Sequence, residues 1–317
     1  MSPDSSQHGH RLSIVVPAFN EHRGLLHVLA DLSSELPGSE IIVVDDGSTD
    51  DTAGAAKAFP DVIVIRHPFN RGYGGALKTG MRHATREFVA WFDADHEHRA
   101  ADLVIMLDRI SVRDCVAVIG QRPLSGPSPL REWGKRVVRL LARTFVNIKN
   151  DINCGLRVFR RDVIVGYLPL LPNGYSASIT STMVLLERGY PLAFHSIATH
   201  PRIGYSKVKI GDGFIAMMLV MRIVMLFGPL RVFLGSGLIL IAAGSVYGLT
   251  LAFRHGLGIP TGAVVIVLTG MLLMVFGLIA DQVSQLRLSL YDQSPFEVVQ
   301  APSPRDGGQS DQRWPSP

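Results

Sequence analysis

Two stretches toward the C-terminal end, Val232–Phe253 and Gly256–Ala280, run for 22 and 25 residues without a charged side chain. A helix needs about 20 apolar residues to cross a bilayer core, and lipid accepts only segments that satisfy their own backbone polar groups. Each stretch therefore reads as a membrane-spanning helix. Only Arg254–His255 separate them, which predicts a hairpin whose two ends return to one side. Arg222, Arg231 and Arg287 flank that side and Arg254 alone marks the turn, so the positive-inside bias places the turn outside and the rest of the chain in the cytosol. The composition agrees, since 47% hydrophobic against 18% charged residues is more apolar than an ordinary soluble enzyme of 317 residues. A formal charge of +4 is too small to argue for nucleic acid. Cys115 and Cys154 are the only cysteines, which excludes a disulfide framework or a Cys-based zinc centre. The opening MSPDSSQHGHR has no apolar core of the kind a secretory signal needs, so the bulk of the chain is expected to start in the cytosol.

Gly213–Gly228 is apolar but short and carries Arg222, which suits an interfacial helix lying along the membrane, or alternatively a core helix of the preceding domain. Ser294–Pro317 is rich in proline and poor in apolar residues, the composition of a disordered tail. The expected organisation is a disordered tail over 1–10, a folded domain over 11–212, an interfacial helix over 213–229, a transmembrane hairpin over 230–281 and a cytosolic, largely disordered tail over 282–317.

Between Leu12 and Gly120 short β-branched runs alternate with helical patterns. The strands are expected at 12–16, 40–45, 62–65, 87–92 and 115–120, and the helices at about 22–35, 51–58, 74–85 and 101–110. Such alternation implies an α/β fold, a mostly parallel Rossmann-like sheet covered on both faces. Ligands of these sheets bind beyond the carboxyl ends of the strands, which singles out the loops Pro17–Glu21, Asp45–Asp50, Pro68–Gly75 and Asp93–His98.

Asp93-Ala94-Asp95 places two carboxylates at the end of an apolar strand, where they repel unless a cation lies between them. With Glu97 nearby, the oxygen-rich set suits Mg²⁺ or Mn²⁺, and such an ion suits a diphosphate. His96 and His98 are further candidate ligands. The bland alternative is a solvated acidic turn capping the helix at 101–110. Asp46 could accept hydrogen bonds from a nucleobase or ribose, with Gly47 letting a ring approach. Asn70-Arg71-Gly72-Tyr73-Gly74-Gly75 departs from a dinucleotide fingerprint, because its glycines do not follow the first strand and Leu77 stands at the third glycine position.

SIVVPAFNE (13–21), VVDDGSTDDT (43–52), NRGYGGALKTG (70–80) and the DADxxH segment (93–98) together resemble family 2 glycosyltransferases of the GT-A fold. The dolichyl- and polyprenyl-phosphate mannosyl- and glucosyltransferases are the nearest in look. GQR (120–122), DINCGLRVFRRD (151–162) and RIGYSK (202–207) resemble the acceptor-side segments of that subfamily. The likeness implies a hexose moved, with inversion, from a nucleotide sugar such as GDP-mannose or UDP-glucose to a polyprenyl or dolichyl monophosphate. Pro17, Phe19, Glu21, Asp45 and Asp46 would line the nucleotide pocket. Asp93, Asp95 and Glu97 would hold Mg²⁺ or Mn²⁺, Glu97 standing where the family commonly has Gln. Arg122, Arg136, Arg202, Ser206 and Lys207 would receive the acceptor phosphate, Arg139 rivals Arg136, and Asp151 matches an acidic position near the acceptor. Asp95, Asp93, Arg122 and Asp151 are the catalytic candidates.

The charges support the same chemistry. A lipid monophosphate is largely ionised at neutral pH, its second pKa being about 6, so it needs a cationic cradle more than a base, and Lys and Arg are dense in 122–139 and 202–209. The expected partners are the nucleotide sugar, the lipid phosphate and membrane lipid, without nucleic acid; a homo-oligomer is compatible with the reading. A processive polysaccharide synthase would share the donor loops but also carry more spans and a QxxRW motif, which the chain lacks. A catalytically silent nucleotide-binding membrane adaptor is the other alternative.

Overall fold

β-Branched residues crowd the strand runs 12–18 and 40–45, which are covered on both faces. The computed structural model describes residues 9–112, 114–122, 154–198, 225, 228–256 and 258–290. In chain order the elements are β1 (Leu12–Ala18), α1 (His22–Glu35), β2 (Glu40–Asp45), α2 (Thr52–Lys57), β3 (Val62–Arg66), α3 (Tyr73–His83), β4 (Phe88–Trp91), α4 (Ala100–Val112), β5 (Ala117–Gln121), β6 (Arg157–Arg160), α5 (Arg161–Gly166), α6 (Ala177–Glu187), β7 (Leu192–Ser196), α7 (Pro229–His255) and α8 (Thr261–Ser289). The five strands and four helices expected before residue 121 are present, with ends shifted by a few residues. β6 and β7 were not anticipated.

The seven strands form one sheet in the order β3-β2-β1-β4-β6-β5-β7. β1 pairs in parallel with β2 and β4, β2 with β3, and β5 with β7. β6 runs antiparallel to both β4 and β5. The chain winds outward through β1, β2 and β3, then returns to place β4 on the other side of β1. Strand order reverses there, so the ligand crevice of such a sheet opens between the carboxyl ends of β1 and β4. Because β6 is reversed, its first residues also lie at that end, with Arg157 opposite Trp91. One apolar layer packs under α1 and α4 and includes Leu25, Leu29, Leu103 and Leu107. The other packs under α3, α5 and α6 and includes Leu77, Ile164 and Val184.

α7 and α8 supply candidate membrane spans, Pro229–Arg254 of 26 residues and Thr261–Ser289 of 29 residues, with mean hydropathies of 1.9 and 2.8. The turn between them begins at Gly256, whose φ of 63° gives a left-handed cap. On α8 the buried residues Ala263, Gly270, Gly277 and Ser284 recur every seventh position, and the first three, all small, form the seam against α7. A Cβ at Gly270 would meet the Gly237 carbonyl oxygen and Ile241, and one at Gly237 would meet the Gly270 carbonyl oxygen and Met274. Gly270→Leu should therefore push the helices apart, at a cost of at least about 1–3 kcal/mol. Thermal melting of the full chain in detergent should show a lower midpoint, whereas Leu268→Ala, on the exposed side, should leave it nearly unchanged.

Candidate active site

Asp93 and Asp95 sit where β4 ends, at the switch point. Asp93 Oδ1 accepts a 2.8 Å hydrogen bond from the Tyr73 hydroxyl of α3, and Asp93 Oδ2 lies 3.3 Å from His98 Nε2. A side chain at residue 155 would collide with the Asp93 carboxylate, so Gly155, delivered by the reversed β6, makes room for it. Asp95 is 7% exposed, and its Oδ1 accepts the Glu97 N–H at 3.2 Å. Burial pushes the Asp93 pKa up, but the bond to His98, the imidazolium charge, the Tyr73 hydroxyl and the Arg122 guanidinium outweigh it and hold the carboxyl below its ordinary range. Burial likewise works to lower the His98 pKa; its bond to Asp93 and the carboxylates of Asp93, Glu97 and Asp95 prevail and raise it. Burial, followed by the charge of Asp93, drives the Tyr73 phenol well up, which keeps it a neutral donor.

These shifts set a stability window for the metal-free protein. Asp93, with its pKa lowered, stabilises fully above the ordinary carboxylate value and loses that contribution as pH falls through its folded value. His98, with its pKa raised, stabilises fully below the ordinary imidazole value and loses it as pH rises through its folded value. In chelator, the melting midpoint should therefore decline on both sides of mildly acidic pH, and His98→Gln should flatten the alkaline decline.

His96 does not join the carboxylates. Its backbone is left-handed at φ 59°, and its Nε2 lies 2.9 Å from Asp31 Oδ2 on α1. Among the described residues no group of three or more His, Cys, Asp and Glu side chains is gathered to hold an ion. Two carboxylates still fit a hard cation of the Mg²⁺ type, which is commonly held by one or two carboxylates plus substrate phosphates and water.

The second loop holds Asp45, Asp46 and Gly47. Asp46 is 3% exposed. Its Oδ1 lies 2.7 Å from His67 Nδ1 and accepts the Arg71 N–H at 2.8 Å, while Oδ2 accepts the Gly72 N–H at 2.8 Å. Asp45 is fully buried; its Oδ1 accepts the Ser48 N–H at 2.9 Å and its Oδ2 lies 3.1 Å from Arg66 Nε. Both carboxylates thus shape the loops at the crevice. At Gly47, with φ of 73°, a Cβ would meet the backbone of Phe69 and Asn70, so the glycine lets the two loops pack together. Gly72, with φ of 88°, passes close to the Asn173 carbonyl, and that oxygen accepts the Gly75 N–H at 3.1 Å. The glycines of 72–75 therefore dock the start of α3 on the 172–174 turn.

The first loop is tied to the second. Asn20, left-handed at φ 54°, accepts the Thr49 N–H on its Oδ1 at 2.8 Å and donates its own N–H to Ser48 Oγ at 3.0 Å. The Glu21 N–H donates to Thr52 Oγ1 at 3.1 Å. Pro17 pairs with Val44 inside the sheet, and Phe19 and Glu21 follow β1 toward the crevice. Asn20 and His96, the two left-handed residues other than glycine among the described residues, occupy the two loops on either side of the switch point.

Arg122 follows β5, and its charge reaches Asp93. Arg136, Asp151, Arg202, Ser206 and Lys207, like the 213–228 segment apart from residues 225 and 228 and like the 294–317 tail, lie outside the described residues. The sequence reading passed over Tyr73, Gly155 and Arg157. Arg157 is 0% exposed; its Nε donates to the Cys154 carbonyl at 2.7 Å, and its Nη1 donates to Thr182 Oγ1 at 2.6 Å and to Ser181 Oγ at 3.2 Å. Its guanidinium lies 5.7 Å from the Trp91 ring centroid. A charged residue inside the apolar run of CGLRVF was the available signal, because a buried cation is costly without partners.

Residues 13–167 match the family described as Glycosyl transferase family 2, and residues 228–286 match the GtrB C-terminal hairpin. The chain carries a family 2 glycosyltransferase domain. Among curated proteins, it is 25% identical over 262 residues to an undecaprenyl-phosphate 4-deoxy-4-formamido-L-arabinose transferase of Pseudomonas fluorescens (strain SBW25), covering 76% of this chain and 72% of that protein. A polyprenol monophosphomannose synthase of Mycolicibacterium smegmatis is 28% identical over 217 residues, 63% of this chain and 81% of that protein. A dolichyl-phosphate beta-glucosyltransferase of Trichomonas vaginalis is 29% identical over 172 residues, 48% of this chain and 53% of that protein, so the chain spans about half that relative's length. Among solved structures, the glycosyltransferase domain resembles glucosyl-3-phosphoglycerate synthase from Mycobacterium tuberculosis in complex with Mn²⁺, UDP-glucose and phosphoglyceric acid, with a TM-score of 0.57 at 20% identity over 68% of this chain and 80% of that one. That likeness supports the GT-A-like fold.

Proposed function

We propose that this glycosyltransferase transfers a hexosyl group, mannose as first choice and glucose as second, from GDP-mannose or UDP-glucose to a polyprenyl or dolichyl monophosphate at the cytosolic membrane face. The observation that supports it most is the pair Asp93 and Asp95 at the switch point, with the charge of Arg122 reaching Asp93, in a chain whose last described helices are long and apolar enough to span a bilayer. The names of the relatives supply the acceptor class.

In this reading Phe19 and Glu21 flank the nucleotide with Pro17 behind them, and Asp45 and Asp46 act by holding the loops it rests on. Asp93 and Asp95 would hold Mg²⁺ or Mn²⁺ with Glu97 at the edge of the shell, and the ion would neutralise charge developing on the leaving diphosphate. Arg122 stands beside the incoming phosphate, joined by Arg136, Arg202, Ser206 and Lys207, with Asp151 near the acceptor. An acceptor phosphate oxygen attacks the anomeric carbon as the bond to the diphosphate oxygen breaks, inverting the centre. No strong base is needed because the phosphate is already ionised. The catalytic part is 11–212, the membrane part 213–281, and the tails are 1–10 and 282–317, the latter beginning as the last turns of α8, which run to Ser289.

The test incubates membranes containing the full chain with polyprenyl phosphate and a panel of labelled sugar nucleotides, then extracts lipid. A labelled, alkali-stable and acid-labile lipid is expected from one donor and not from membranes lacking the chain. No labelled lipid from any donor overturns the proposal.

A further inference from the structure

The junction between the catalytic domain and the hairpin holds a cavity of about 540 Å³. It opens between residues 169–180 and the last turns of α8. Lys78 of α3 and Arg287 of α8 bring positive charge to it, Ser176, Thr180 and Ser284 bring hydroxyls, and Val283 with leucines of the 170–171 turn forms an apolar side. Among the described residues no Asp or Glu lines it. The cationic wall is fixed, because Lys78 Nζ donates to the Leu171 carbonyl at 3.0 Å. The far wall is fixed too, since Ser284 and Leu288 are 5% and 1% exposed and Leu288 belongs to the apolar cluster of Leu168, Leu170 and Leu171.

Its depth in the membrane follows from the sequence. The charge-free run ends at Ala280, so the stretch 280–287 that lines the cavity lies where hydrocarbon gives way to headgroups. Basic pockets at that level select anionic lipid headgroups. Asp93, Asp95, Glu97 and Arg122 are not among the described residues that line the cavity. The volume falls within the about 300–1,000 Å³ usual for small-molecule sites. One wall is shared with the donor loops, because Asn173 both lines the cavity and accepts the Gly75 N–H.

We propose that this cavity seats the headgroup of an anionic diacyl phospholipid, its phosphate facing Lys78 and Arg287 and its acyl chains following α8 into the bilayer. The lipid fastens the catalytic domain to the hairpin and braces the turn on which the 72–75 loop rests. The inference depends on the cavity and the membrane hairpin, not on sugar transfer.

The experiment is native mass spectrometry of the delipidated full chain in detergent, titrated separately with phosphatidylglycerol, phosphatidylcholine and farnesyl phosphate, with no sugar nucleotide present. One phosphatidylglycerol per chain is expected to bind in preference to phosphatidylcholine. Arg287→Gln, on an exposed position, should weaken it about fivefold, the effect of one basic residue at a membrane surface. Val283→Trp should fill the cavity and remove the adduct, while Val283→Ala keeps it; thermal melting of each variant reports folding. Equal retention of the two phospholipids, or undiminished binding in both Arg287→Gln and folded Val283→Trp, overturns the proposal. Stoichiometric displacement of phosphatidylglycerol by farnesyl phosphate also overturns it, assigning the cavity to the acceptor. Because no transfer is measured, failure here leaves the catalytic proposal standing, and an inactive enzyme that binds the phospholipid leaves this one standing.

Discussion

Asp95→Asn should lower sugar transfer by at least about a thousandfold while the protein stays folded. Losing one preorganised group at a developing charge costs about a hundred- to a thousandfold, and Asp95 is asked to do more, since a neutral amide also weakens the grip on a divalent ion. Asparagine is the informative choice. Its side-chain oxygen can still accept the Glu97 N–H that Asp95 Oδ1 now accepts, so the loop keeps its shape and only the charge is removed. Transfer measured with labelled donor should collapse, Mn²⁺ titration followed by electron paramagnetic resonance should show weakened binding, and the melting midpoint in chelator should barely move. Full activity in this variant would sink the metal role of the pair.

Arg157→Met should be the most destabilising single change in the catalytic domain, at about 3–5 kcal/mol, the usual effect of breaking a buried charged network from one side. The variant leaves the Cys154 carbonyl without the Nε donor and Thr182 Oγ1 without Nη1. It also removes a cation whose field offsets part of the rise in the Tyr73 pKa. Arg157→Lys keeps the charge and loses the planar fork, so it should recover part of the loss. Thermal melting of the full chain, with Arg11→Met as an exposed control, measures it. A midpoint within a degree of the parent would show that the buried guanidinium is dispensable.

β1, β2 and β4 were readable because each is a run of apolar residues with a chemically abrupt change at or just beyond its end, at Asn20, Asp45 and Asp93, and their helices follow at close range. The same contrast picked out Asp93 and Asp95. β6 escaped because Arg157 and Arg160 bracket only Val158 and Phe159, a pattern too short and too charged to read as a sheet strand. Its arginine makes sense only once Thr182 and Trp91 are seen beside it. Asp46 was legible as an acidic residue at a strand tip, but nothing near it in the chain says that its oxygens face the backbone of Arg71 and Gly72. His96 and His98 illustrate the same limit: two residues apart, one bonds back to α1 and the other to Asp93, a difference made by one left-handed residue.

The order of local elements, the paired carboxylates at a strand end and the two apolar spans were determined by the sequence alone, because each depends on residues adjacent in the chain and on the period of their hydrophobicity. The reversal of β6, the meeting of Tyr73, His98, Arg122 and Gly155 around Asp93, and the basic cavity shared by Lys78 and Arg287 were decided only by the tertiary structure. Each joins groups far apart in the chain, whose proximity comes from strand order and from which apolar faces find each other, and no local periodicity encodes that.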